Sequence, residues 1–140
     1  GIDVTNGFAV LATDKVQKIA IANPKTAPYG TAAIEAMKNT GVYEKALPKL
    51  VQGDSIIQAY QYTVTAADVG FVALSSLKVG DGLKYKENVN WVIVDEKLYK
   101  PIDQAVVLLK NGEKSDGAKA FVAFLVSPEA KAIFKKYGYK

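Results

Sequence analysis

Few side chains in this sequence could carry covalent or metal chemistry, because it contains no His and no Cys. That absence excludes a Ser-His-Asp triad, a thiol nucleophile, a disulfide framework and the usual zinc and haem ligand sets. Such chemistry would fall to carboxylates, Lys and Tyr. Ser75-Ser76 followed by Lys78 is where a Ser-Lys nucleophile could be assembled. There is no Gly-x-Ser-x-Gly elbow and no context that would lower the lysine pKa, so the residues read as a polar turn at a strand end. Asp95-Glu96 reads as a solvated turn rather than a glycosidase pair or a metal site. Gly80-x-Gly82 is an incomplete phosphate fingerprint with no strand directly before it, hence a loop. The residues point away from an enzyme.

What is left is chemistry by the backbone. Two helix starts, one at Pro28-Tyr29-Gly30 and one at Asp54-Ser55-Ile56, are expected at the same edge of a sheet. Each would present N–H groups beyond the reach of the helical hydrogen-bond ladder, together with the positive end of a helix dipole, which suits an anion. Every α/β domain has such starts, and ordinary turns and caps are the alternative reading. Asp54 argues against an anion unless its carboxylate faces away.

The elements that must position these starts follow from periodicity. Lys18 to Asn23 is a short apolar, partly β-branched run closed by Pro24, which predicts a buried strand and then a turn. From Thr31 the apolar residues Ala33, Ile34 and Met37 recur at helical spacing until Gly41. A short helix over Tyr43 to Ala46, a strand over Lys49 to Gln52, and a helix capped by Asp54 or Ser55 with Ile56, Ala59, Tyr60, Thr63 and Val64 on one stripe come next. Val69 to Leu74 reads as a third buried strand. Strand, helix, strand, helix, strand predicts an α/β fold: a largely parallel sheet, right-handed crossovers, helices on its faces, and ligands beyond the carboxyl ends of the strands. Further strands are expected at Val89 to Val94 and Asp103 to Lys110, the latter turned by Asn111-Gly112. The tail reads as two helices, with Ser127-Pro128 as cap and first-turn proline of the second.

Composition sets the outer limits. The 140 residues fit one domain able to bury a core of its own. Apolar and charged fractions of 49% and 23% are ordinary for a globular protein and argue against disorder. No run free of charge is long and apolar enough to span a membrane. The basic side chains are 18 Lys and no Arg against 14 acids, a net charge of +4. The lysines are spread from Lys15 to Lys140 among acids, whereas a nucleic-acid footprint would be clustered and rich in Arg. Nucleic acid is therefore not an expected partner.

The order of segments carries a resemblance. Ile19-Ala-Ile-Ala-Asn-Pro-Lys-Thr-Ala-Pro-Tyr-Gly30, Asp68-Val-Gly-Phe-Val-Ala-Leu-Ser75, Pro101-Ile-Asp-Gln-Ala-Val-Val-Leu-Leu-Lys110 and Ser127-Pro-Glu-Ala-Lys-Ala-Ile-Phe-Lys-Lys-Tyr-Gly138 resemble the molybdate-binding proteins of ABC importers over nearly the whole chain. The resemblance implies a type II periplasmic-binding-protein-like lobe: about 1–102 as the second ligand-binding lobe, and about 103–140 as a hinge strand and C-terminal helices that return to a first lobe. It implies a tetrahedral oxyanion, molybdate or tungstate, held as ligand rather than cofactor by backbone N–H groups and hydroxyls, with no direct protein–metal bond. By resemblance the contacts fall on the backbone of Tyr29 and of Ile56, with Gly30, Ser55 and Ala73 as secondary positions. Ala73 stands where some members have a Tyr hydroxyl and offers none. The implied setting is the periplasm or outer face of the membrane, with an ABC permease as partner. Lacking the first lobe's hydroxyl ligands, this stretch is expected to bind oxyanions weakly or not at all alone, and to self-associate through its C-terminal helices. An oxyanion-sensing effector domain of a transcription regulator is the alternative.

Overall fold

A computed structural model describes residues 2–139. Two compact units divide the chain, Gly1–Ile102 and Asp103–Lys140. In the first, strand β1 (Ile19–Ala22) is buried at all four positions, as its uninterrupted Ile-Ala-Ile-Ala requires of a central strand. Helix α1 (Pro28–Asn39), helix α2 (Tyr43–Ala46), strand β2 (Leu50–Gly53), helix α3 (Ile56–Thr65) and strand β3 (Val69–Gly70) follow in order. The sheet is parallel in the order β2-β1-β3, with Ile19 opposite both Leu50 and Val69. Because the chain steps from β1 to β2 and then back across to β3, right-handed crossovers put α1 and α3 on opposite faces.

The core of this unit gathers Val16, Ile19, Ile21, Ala33 and Met37 with Leu11 and Ala46. Leu11 arrives on a 3-10 segment, Val4–Ala12, whose Phe8 ring lies 5.7 Å from that of Phe71. Asp68 fastens the foot of the sheet: its carboxylate accepts the Gln17 and Lys18 amides at 2.8 and 2.9 Å.

The second unit contains helix α4 (Asp116–Leu125) and helix α5 (Pro128–Lys136). Ser115 and Ser127 cap them, each side chain accepting the amide three residues on at 3.2 Å. Gly138, at φ 88°, follows the end of α5 in the left-handed conformation that glycine adopts freely.

Three expected strands are shortened or missing. The run from Val69 to Leu74 forms a ladder only at Val69–Gly70. The Phe71 amide adds one bond to Ala20 at 2.9 Å, after which Ala73 turns into a 3-10 helix, Leu74–Leu77. In place of a strand over 89–94 there is a local turn: the Asn90 side chain accepts the Lys86 amide at 2.9 Å, and Asn88 has φ 59°. A side chain that bonds its own backbone competes with a ladder. The hinge strand expected over 103–110 is irregular up to Leu109 and forms no ladder among the described residues. Apolar alternation marks what a strand would bury but supplies no partner for its N–H and C=O groups.

Candidate functional site

Ala22 and Gly53 are paired at the carboxyl ends of β1 and β2, and the ladder runs one step further through the Asn23 amide to the Gly53 carbonyl at 2.7 Å. Both following helices therefore start at the same edge of the sheet. Two glycines hold them there. A Cβ on Gly30 would overlap the carbonyl oxygen of Ala22, so the first turn of α1 sits directly over the end of β1. A Cβ on Gly53 would stand 2.9 Å from the Ala59 nitrogen and 3.1 Å from the Gln58 Cβ, so the first turn of α3 covers the end of β2.

Asn23 builds the loop into α1. Its side chain accepts the Lys25 amide at 3.0 Å, and its carbonyl accepts those of Thr26 and Ala27 at 3.1 and 2.9 Å. The Thr31 hydroxyl donates to the Pro24 carbonyl at 3.0 Å, closing the loop from the helix side. Pro28 opens the helix with no N–H to satisfy. Tyr29, partly buried, is the second helical residue. The Gly30 amide is committed to the Ala27 carbonyl at 2.9 Å, so Gly30 contributes close packing rather than an outward donor.

The start of α3 is capped by Ser55, resolving the Asp54-or-Ser55 alternative. Its hydroxyl oxygen accepts the Gln58 amide at 3.2 Å, and the Gln58 side chain in turn accepts the Asp54 amide at 2.6 Å. The Ala59 amide donates to the Ser55 carbonyl at 3.0 Å. Ile56 and Ile57 are the first two helical residues, and their amides meet no acceptor among the described residues. The Ser55 hydroxyl keeps its own proton to donate. Gln58 escaped the sequence reading although its signal, Ser55-x-x-Gln58, has capping-box spacing.

Ala73, buried, ends the extension of β3 and accepts the Ser76 amide at 3.0 Å. It brings a methyl group to the carboxyl edge and no side-chain donor. The strand order reverses between β1 and β3, and open parallel sheets place ligands beyond the carboxyl ends at such a reversal.

The enzymatic alternatives gain nothing from the geometry. The Lys78 ammonium lies 5.3 Å from the centre of the Trp91 ring, a cation–π contact. Asp95 accepts the Lys97 amide at 3.0 Å as the cap of a short turn.

Residues 2–140 match the family described as "Bacterial extracellular solute-binding protein". The chain belongs to that family. It is 52% identical over 132 residues to the molybdate-binding protein ModA of Rhodobacter capsulatus, covering 94% of this chain and 50% of that protein. With ModA of Azotobacter vinelandii it shares 42% identity over 132 residues, covering 94% and 51%. Superposition on the solved periplasmic molybdate-binding protein of Azotobacter vinelandii gives a TM-score of 0.78 at 34% identity, covering 94% of this chain and 57% of that one. The chain thus spans about half the length of the relatives it matches. These relatives are binding proteins, and nothing among them supports the effector-domain alternative.

Proposed function

We propose that this chain is part of the solute-binding component of a molybdate or tungstate ABC import system. It contributes to a tetrahedral oxyanion site the helix starts at Tyr29 and Ile56, through their backbone amides, with the Ser55 hydroxyl beside them. The carrying observation is that two glycine-anchored helix starts share one sheet edge in a chain 52% identical to a molybdate-binding protein. The role is binding, without catalysis. The partner is a membrane permease, and the setting is the periplasm or the outer face of the membrane.

The physics suits the ligand. A dianion is matched by amide and hydroxyl dipoles held in place by the fold, with no buried cation to desolvate. A half-site open to water keeps little of that attraction, so the affinity expected of the chain alone is on the order of millimolar. Titration of the labelled chain with sodium molybdate, followed by amide NMR, tests this. Saturable shifts confined to the turns around Tyr29 and Ile56 are expected, weaker with sulfate and phosphate. Gly30→Pro, which drives ring atoms into the Ala22 carbonyl oxygen and deletes the amide that bonds Ala27, should displace the helix start and weaken binding more than Tyr29→Ala, which leaves the backbone in place. Shifts spread over the surface, or absent from both turns, would remove the site.

A further inference from the structure

Gln58 is half-buried, third in α3, and takes part in a reciprocal exchange: its amide goes to the Ser55 hydroxyl oxygen and its side-chain oxygen takes the Asp54 amide. The exchange disposes of the amides on either side of the helix start. Those of Ser55, Ile56 and Ile57 meet no acceptor among the described residues, and Ile56 and Ile57 are the two that belong to the helix itself. Beneath it Gly53 admits no side chain, because a Cβ there would stand 2.9 Å from the Ala59 nitrogen and 3.1 Å from the Gln58 Cβ.

We infer that Gln58 is a positioning residue for the oxyanion site, tying the Asp54 amide just before the cap to the first turn of α3 and so holding the helix start in place while adding no negative charge. The inference rests on the oxyanion reading above. Its content lies in the choice of Gln over Glu. At the third helical position either residue closes a capping box, and for the helix alone Glu is the better choice, because a carboxylate in the first turn interacts favourably with the dipole. Beside a dianion the preference reverses. A carboxylate a few ångströms from the ligand repels it and competes for the same positive helix end, even across solvent. Helix stability and ligand binding thus make opposite demands on residue 58, and the sequence meets the second.

The test compares the 140-residue chain with Gln58→Glu and Gln58→Ala at pH 8, by urea unfolding and by amide NMR titration with sodium molybdate. Expected is a Gln58→Glu variant that unfolds at an equal or higher urea concentration yet binds molybdate roughly tenfold or more weakly. Gln58→Ala should exchange its Asp54 amide faster with solvent and bind more weakly than the parent, without the extra repulsion. A merely structural Gln58 would move stability and binding together. If the parent responds and Gln58→Glu binds as tightly, this inference falls while the oxyanion reading stands. If the parent amides of Ile56 and Ile57 are silent to molybdate, both fall. Should Gln58→Glu fail to fold, the Gln58→Ala comparison decides: binding equal to the parent overturns the positioning role.

Discussion

The two units of this chain are made from the same kinds of residue and bury them very differently. Half of the residues from Asp103 to Lys140 are apolar, 19 of 38, against 49% in the whole chain. Yet among the described residues every buried apolar one except Ala130 lies in the first unit. Phe121, Val107, Leu109 and Val126 are each more than half exposed. The difference is one of layers. A parallel sheet with helices on both faces closes over the apolar residues between its layers, although Ile57, Leu83, Val89 and Ile93 elsewhere in that unit are also more than half exposed. Two short capped helices have one stripe each and too little chain to build a core; chains below about 40 residues seldom do so without help. Local signals such as Ser115, Ser127 and Pro128 shape the helices of the second unit, but they supply no burial.

The largest expected effect breaks this comparison directly. Met37 and Ile21 are fully buried, and replacing either by Ala should destabilise the chain by about 2–5 kcal/mol in urea unfolding. Phe121→Ala, at a residue 59% exposed, should cost no more than about 0.5 kcal/mol in dilute solution. A Phe121 variant as damaging as Met37→Ala would show that the second unit has a core after all.

Next in size is association. Apolar stripes of this kind do not stay in water as one patch, so the average mass in sedimentation equilibrium should rise with concentration across a hundredfold range. Introducing charge with the pair Phe121→Lys and Phe124→Lys, two exposed residues three apart on one face of α4, should return the chain to a monomer. A strictly monomeric parent would sharpen the comparison differently, by showing that these side chains are tolerated in solvent.

The amount of this that was legible in the sequence varied with what each element needed. β1, α1 and α3 were readable because their signals are local: an apolar run closed by Pro24, helical spacing up to Met37, and a Ser cap. The segments 89–94 and 103–110 were not, since alternation states a preference for burial and only a neighbouring edge makes a strand. The two helix starts were readable from Pro28-Tyr29-Gly30 and Asp54-Ser55-Ile56, whereas Tyr29 and Ile56 as contacts came from the resemblance alone. The close approach of Gly30 to Ala22 was not legible, because any glycine in a turn looks alike until the strand beneath it is located. Gln58 has capping-box spacing from Ser55, but a neutral amide three residues past a cap has the same spacing whether its oxygen bonds the backbone or solvent.

A smaller effect separates the units by pH. The Gln17 and Lys18 amides hold the Asp68 carboxyl below its ordinary value, and the Thr5 hydroxyl and amide do the same for Asp3. Both belong to the first unit. A carboxylate with a lowered folded-state pKa stabilises the fold above its unfolded value, 3.8 here, and that contribution is lost as pH falls through the folded value. Asp68→Asn should therefore lower the urea midpoint at pH 7 and flatten its decline between about pH 5 and pH 3. An unchanged acid slope would mean that the bonds to Gln17 and Lys18 do not hold in solution.

The smallest effect concerns Asp54, the exposed carboxylate immediately before the Ser55 cap. Its amide is already held by the Gln58 side chain, so Asn at this position leaves the box intact and removes only the charge. For the helix, a carboxylate near the N-terminus is mildly favourable, and Asp54→Asn should cost a few tenths of a kcal/mol of stability. For a dianion at the Ile56 amide the same carboxylate is a repulsive neighbour, screened by solvent because it is exposed. The variant should bind molybdate about two- to fivefold more tightly at low ionic strength, and the gain should vanish near 0.5 M salt, where the Debye length shrinks to roughly 4 Å. Titrations at the two salt concentrations check the sign as well as the size. Weaker binding by Asp54→Asn would mean that the carboxylate supports the start of α3 in binding rather than repelling the ligand there. Equal binding at both salt concentrations would place the anion nearer the Tyr29 start, out of reach of this charge.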